Sequence, residues 1–382
     1  MDLGRITWQN VKWRRAKNTV TKLQRKIFQA ALENTKEKPH IYQKRLLESD
    51  SAKLLAVRKV TQDNRGKKTP GIDGIKFLNP EERLKLAKEI RIDGKTSPIR
   101  RVYIPKPGTD EKRPPGIPTI RDRAKQALVK MTLEPEWETK FEPNSYGFRP
   151  GRRAHDAFEA IHHTLRATGK FVLDADISKC FDKINHDQLL NKLDTLPEMS
   201  NQIKVWLKAG VSDKGAYLPT STGTPQGGVI SPLLSNIALH GMETHLKNWI
   251  TTKEVFSQSE VKLSPTAKRA SLNVIRYADD FVILHKDQHI VEEAKNEVEK
   301  WLATMGLELK ETKTRISHTD IKYNNQTGFD FLGFNIRRYP VGLNSRNKFG
   351  ASWKTIIKPS KQAIKSHYEE LKNVVTNTNK ID

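Results

Sequence analysis

The sequence predicts an α+β fold, a mixed sheet with helices on one face. Three features predict it. Between Phe171 and Phe334 the apolar pattern runs strand, helix, helix, strand hairpin, helix, strand. The helical stretches keep a three-to-four-residue spacing, clearest in Val291, Ala294, Val298, Trp301, Leu302 and Met305, the pattern of a helix packed on a sheet. Finally, 382 residues at 36% hydrophobic content can fill cores but exceed what one core accommodates, so two or three domains are expected.

The elements follow in chain order. Over residues 18–34, Val20, Leu23, Ile27, Ala30 and Ala31 share one helical face, with Lys22, Arg25 and Lys26 elsewhere. A second helix is expected over 46–62, and the Gly- and Pro-rich stretch 66–74 reads as a loop. Residues 98–120 read as strand, turn, strand, and 121–141 as a helix with Ala124, Leu128, Met131 and Leu133 inside. A loop over 146–153 precedes a helix through Phe158, Ile161 and Leu165. Strand 171–177 and helix 186–194 come next. The loop Thr222 to Gly228 enters a helix with Ser231 as N-cap and Pro232 in the first position, burying Leu234, Ile237 and Ala238. Phe329 to Phe334 is expected to be one strand, and Pro359 to about Val375 a basic helix.

The net charge is +24, and it is concentrated at the ends. Residues 1–70 carry 18 Lys/Arg against 6 Asp/Glu, and residues 338–382 carry 9 against 3. Such a field recruits polyanions and disfavours acidic partners. The single cysteine, Cys180, rules out an internal disulfide framework and a multi-cysteine zinc site. No apolar run follows Met1, and no stretch reaches the ~20 apolar residues of a membrane span. A cytoplasmic protein without a membrane partner is expected.

Against that basic background, Asp279 and Asp280 sit side by side inside the apolar segment Leu272 to Leu284, which reads as two short strands. Adjacent anions repel, and each loses hydration against packed strands. A third carboxylate, Asp176, has a similar setting in Phe171 to Ile177, 103 positions upstream of Asp279. Three carboxylates on strand ends are what two divalent ions need for phosphoryl transfer between nucleotides, which points to a nucleic-acid polymerase. Turn chemistry alone explains an isolated aspartate pair, but not the apolar flanks and the companion Asp176. Asp174 shares a strand face with Asp176 by period two and is a candidate supporting group, whereas Asp182 reads as a helix-start residue. Arg100, Lys106 and Arg113 bracket a loop and could clamp a triphosphate; alone, they would read as a solvated basic hairpin. Gly223 to Gly228 offers close backbone approach beside a helix start. Lys313 could reach a leaving phosphate or be a solvated lysine.

In order along the chain, these residues resemble the retroviral-type reverse transcriptases, and most closely those encoded by group II introns. Asp176 to Asp182 resembles the family's motif A, Gly223 to Leu234 motif B, Tyr277-Ala278-Asp279-Asp280 motif C, and Leu307 to Thr314 motif D. Ile104 to Arg113 with Gly116-Ile117-Pro118 resembles the fingers motifs. Tyr146-Gly147-Phe148-Arg149-Pro150 and the N-terminal extension resemble the group II branch.

The resemblance implies a right-hand polymerase of fingers and palm with the start of a helical thumb. Its parts would be a basic extension over 1–70, fingers over 71–170, palm over 171–337, and the start of a thumb, or maturase, domain over 338–382. It implies Asp176, Asp279 and Asp280 as catalytic carboxylates, holding two Mg²⁺ ions (or Mn²⁺ as substitute) together with Ile177. Arg100, Lys106, Arg113, Phe181, Gln226 and Lys313 would contact the nucleotide, with Phe181 as the steric gate under its sugar. Phe331, Leu332 and Gly333 would form the primer grip. Lys22, Arg25 and Lys26 are candidate RNA-binding residues. Intron RNA, a DNA primer or target and dNTPs are the implied partners. Alternatives are an RNA-folding maturase without polymerase activity and a CRISPR-linked or other bacterial enzyme of this branch. Diversity-generating enzymes carry Ser-Gln where this chain has Gln226-Gly227, and RNA-dependent RNA polymerases show Gly-Asp-Asp.

Overall fold

The computed structural model describes residues 6–33, 37–105, 112–257, 259–342 and 352–378. The chain forms two compact units, each assembled from separated stretches. Among the described residues, one comprises 6–33, 37–105, 112–141 and 179–239, the other 142–178, 240–257, 259–342 and 352–378.

In the first unit, helices Trp13–Leu32, Glu37–Glu48, Asp50–Arg58 and Ile120–Lys140 pack together. The first starts five residues before the expected stretch and buries Ala16, Val20, Ile27 and Ala30. The helix expected over 46–62 is divided between Glu37–Glu48 and Asp50–Arg58, with Ser49 between them, followed by a wider turn at Lys59–Asp63. A buried bond from Gln43 Nε2 to Glu136 Oε2 (2.7 Å) ties two of the helices together. A small mixed sheet runs Gly116–Ile117, Ile99–Arg101, Val211–Asp213, Ala216–Leu218, with only the central pair parallel. The hairpin over 211–218 was not expected from the sequence.

The second unit carries a four-stranded sheet in the order Arg315–His318, Phe171–Asp176, Asp280–His285, Asn273–Tyr277. It is wholly antiparallel, not mixed. It is also covered on both faces. Val172, Ile275, Val282 and Leu284 form one row, which packs with Phe158, Ile161 and Leu165 and with Phe329, Phe331 and Ile336. The alternate row, Leu173, Ala175, Phe281 and Ile283, is equally buried, and helix Gln288–Thr304 packs on the same strands. Side-chain alternation puts Asp174, Asp176 and Asp280 in the first row, where the apolar core gives out.

The stretch expected as one strand over 329–334 is instead a hairpin. Phe329–Phe331 pairs with Phe334–Pro340 around Leu332 and Gly333, both at positive φ (48° and 80°). A third strand, Trp353–Pro359, completes that sheet before the helix Lys361–Thr378. No helix among the described residues is long and apolar enough to cross a membrane.

Candidate active site

Antiparallel register brings the two acidic segments together. Asp176, the last residue of its strand, is the cross-strand partner of Asp280, the first residue of the next. Tyr277 pairs with Asp280 on the other side, so Ala278 and Asp279 form a two-residue turn. Ala278 has φ 58°, the left-handed geometry that tight hairpins require. The Ile177 amide donates to the Asp279 carbonyl (3.3 Å), and the Lys310 amide to the Asp176 carbonyl (2.8 Å). Ile177 is 2% exposed, so only its main chain could serve a ligand.

Lys313 reaches this corner, with Nζ 2.8 Å from Asp176 Oδ2. Burial, together with the neighbouring charges of Asp279 and Asp176, pushes the Asp280 carboxyl up to about 6. Burial and the charges of Asp280 and Asp330 push Asp174 to about 7, although Arg315, its cross-strand partner, opposes the shift. Lys313 loses hydration, but its bond to Asp176 and the nearby anions more than offset this and raise its pKa. A cleft of about 240 Å³ opens here, lined by Asp174, Asp176, Asp280, Lys313, Arg315 and Asp330 among others. Carboxylates that hold protons this tightly lack enough positive charge around them, and hard oxygen donors of this kind suit Mg²⁺. Among the described residues, no three or more His, Cys, Asp or Glu side chains are already gathered around one cation position. Asp176 faces Lys313 instead.

The hairpin Phe331-Leu332-Gly333, the candidate primer grip, belongs to the same unit. Phe331 packs in the core beside Phe158, at a ring separation of 6.4 Å, and the Gly333 carbonyl accepts from the Ser360 amide.

The remaining candidates among the described residues lie in the first unit. Phe181 and Asp182 occupy the short helix Cys180–Lys183. Gln226 donates to both Asp182 carboxylate oxygens at 3.1 Å, giving Asp182 a partner that its reading as a helix-start residue did not provide. The Thr224 amide donates to the Phe181 carbonyl (2.5 Å), so the 222–228 loop is laced to this helix. Gly223 makes that possible: its φ is 82°, and a Cβ there would lie 2.6 Å from the Asp182 carbonyl. Ser231 does not stand before its helix as a cap. It begins the helix, and its hydroxyl donates to the Pro225 carbonyl (2.6 Å). Arg100 gives its Nε–H to the Pro70 carbonyl (3.0 Å), and Arg113 pairs with Ile104 in a short exposed hairpin. Lys106 lies outside the described residues. Lys22, Arg25 and Lys26 are all exposed on the helix Trp13–Leu32. A basic groove of about 490 Å³ at the start of that helix is lined by Lys12, Arg14, Arg15 and Lys22 among others.

Sequence reasoning passed over Arg315 and Asp330. Nothing but the register that sets Arg315 opposite Asp174, and the hairpin that presents Asp330, brings them to the acidic cleft.

Comparison with known proteins identifies the family. Residues 104–336 match the family described as reverse transcriptase (RNA-dependent DNA polymerase), and residues 8–90 match the N-terminal domain of reverse transcriptase. Protein YkfC of Escherichia coli (strain K12) is 33% identical over 78% of this chain and 82% of its own. The group II intron-encoded protein LtrA of Lactococcus lactis subsp. cremoris is 32% identical over 74% of this chain and 55% of its own. Maturase-like protein 1 of Euglena gracilis is 26% identical over 97% of this chain and 72% of its own. The chain thus spans most of YkfC but about half of LtrA. The α+β class expected from the sequence holds, and the chain belongs to the reverse transcriptase (RNA-dependent DNA polymerase) family, related to the group II intron-encoded proteins.

Proposed function

We propose that this chain copies RNA into DNA and that Asp176, Asp279 and Asp280 carry the reaction. One observation supports this above the rest: the register that sets Asp176 opposite Asp280, with Asp279 in the adjoining turn. The divalent metals that such enzymes use would be two Mg²⁺, or Mn²⁺ in substitution, held by these carboxylates and the Ile177 main chain. When bound, they supply activation of the primer 3′-hydroxyl and charge neutralisation at the leaving pyrophosphate.

The chain's own groups then have distinct tasks. Lys313, released from Asp176, stabilises negative charge on the departing phosphate. Arg100, Lys106 and Arg113 hold the triphosphate. Gln226 supports the nascent base pair, oriented by its bonds to Asp182. Phe181 excludes a 2′-hydroxyl by bulk. Phe331, Leu332 and Gly333 position the primer end. The domain roles proposed are a basic extension over 1–70, fingers over 71–170, palm over 171–337, and the start of a thumb over 338–382.

The substrates proposed are intron RNA, a DNA primer and dNTPs in a cytoplasmic setting. The exposed cations Lys22, Arg25 and Lys26 and the neighbouring basic groove support RNA binding that would also assist splicing. A maturase that binds RNA without polymerising would have no use for three carboxylates pressed together at this cost. Primer extension on poly(rA)/oligo(dT) tests the reading: dTTP incorporation that needs Mg²⁺ supports it, and RNA binding with no incorporation favours the maturase.

A further inference from the structure

We propose that Arg276, with Ser145 and Gly147, splints the acidic turn, and that Arg276 is a positioning residue for nucleotidyl transfer. The proposal rests on the assignment of Asp279 and Asp280 to catalysis. Arg276 sits in the strand Asn273–Tyr277, two residues before Ala278, and is 2% exposed. A guanidinium is buried this deeply only when it is well bonded. One terminal nitrogen donates to the Ala278 carbonyl (3.0 Å), the other to Ser145 Oγ (2.6 Å). That carbonyl belongs to the peptide joining Ala278 to Asp279. The guanidinium therefore fixes the peptide plane from which Asp279 departs.

The segment on the far side is itself held. The Arg276 amide donates to the Asn144 carbonyl and the Tyr146 amide to the Arg276 carbonyl, both at 2.9 Å. Arg149, also buried, donates to the carbonyls of Glu142 (3.0 Å) and Ser145 (2.6 Å). Gly147 then lies flat on the turn: a Cβ there would stand 2.2 Å from the Ala278 nitrogen and 2.9 Å from its Cα. Both are main-chain atoms and cannot swing aside. Gly147 is thus required by proximity rather than by an unusual φ. Ala278, in left-handed geometry, is the residue whose conformation most needs outside support. The buried Arg276 and the tight Gly147 contact both act on that one residue, and a displacement of about 1 Å at reacting groups can cost on the order of 10²-fold in rate.

The test compares Arg276→Met, Arg276→Lys, Ser145→Ala and Gly147→Ala with the wild-type chain. It measures kcat and dNTP KM in primer extension, template–primer affinity, and melting temperature. For Arg276→Met and Gly147→Ala we expect kcat to fall on the order of 10²-fold, while KM and template–primer affinity stay within about twofold. Arg276→Lys, which keeps a donor for the Ala278 carbonyl, should recover about tenfold of the loss. Should Arg276→Met fail to fold, Ser145→Ala and Gly147→Ala decide, since neither removes a buried charge. Unchanged kcat in these folded variants overturns the splint, and so does a kcat loss matched by an equal loss of template–primer affinity. Asp279→Asn, run alongside, separates the two claims. A fully active Asp279→Asn would defeat the catalytic assignment itself, whereas an inactive one beside fully active splint variants would defeat the splint alone.

Discussion

Acidification should destabilise the second unit through His285. This imidazole ends the strand Asp280–His285 and is 0% exposed. Its Nδ1 accepts from the Asp287 amide (3.0 Å), so Nε2 carries the proton and faces Ser271 Oγ (3.1 Å). Burial disfavours the charged form more than Asp287 favours it, Lys170 and Lys286 also oppose it, and the pKa falls from 6.5 to about 4. The unfolded chain takes up a proton near 6.5, but the folded chain resists until about 4. Stability from this group is therefore complete above the upper value, and falls as pH drops between the two. The ceiling is about 3 kcal/mol, of which about 2 kcal/mol should be lost between pH ~7.5 and ~5. Carboxylates titrate over part of this range, so the comparison is with His285→Gln, measured by urea unfolding at both pH values. The wild-type advantage should shrink by about 2 kcal/mol on acidification. An advantage that stays constant, or grows, would show that His285 is not held neutral by burial.

Three further outcomes are expected. Phe181→Ala should reduce the dNTP-over-rNTP ratio of kcat/KM by about 10–100-fold, and an unchanged ratio in an active variant would count against the gate. Neutralising Lys22, Arg25 and Lys26 together should weaken structured-RNA binding and flatten its log–log salt slope by roughly 0.7–0.9 per lost contact, with little effect on extension of a short primer; equal losses in both assays would mean the helix only packs and solubilises. Gly223→Ala should cost about 1–3 kcal/mol in denaturation, because its φ of 82° and the Asp182 carbonyl 2.6 Å away both oppose a Cβ; a neutral substitution would show that the loop has another conformation.

The acidic corner was legible because its signal is chemical: carboxylates inside apolar strands are conspicuous wherever the chain goes. That Asp176 pairs with Asp280, rather than with a neighbour two residues away, is a matter of register that no local pattern encodes. The Leu332–Gly333 turn was missed because four of the six residues from Phe329 to Phe334 are large and apolar, and periodicity cannot separate a bent strand from a straight one. Strand Trp353–Pro359 was hidden by its lysines, which alternate as an exposed edge strand allows. Gly147 shows the same limit: its segment, 146–153, reads as a loop, yet what the residue must accommodate is a turn 131 residues later that packs on it. Nor could sequence order show that residues 142–178 share a unit with 240–382, while 179–239 belong with the N-terminal helices.

The most direct measurement is single-nucleotide primer extension on an RNA template by Asp279→Asn beside the wild-type chain, in Mg²⁺, with RNA binding followed in parallel. Loss of one carboxylate ligand should remove several kcal/mol of transition-state stabilisation, a fall on the order of 10³-fold or more, with RNA affinity nearly unchanged. Extension at near wild-type rate by the folded variant would contradict the assignment of the acidic turn to catalysis.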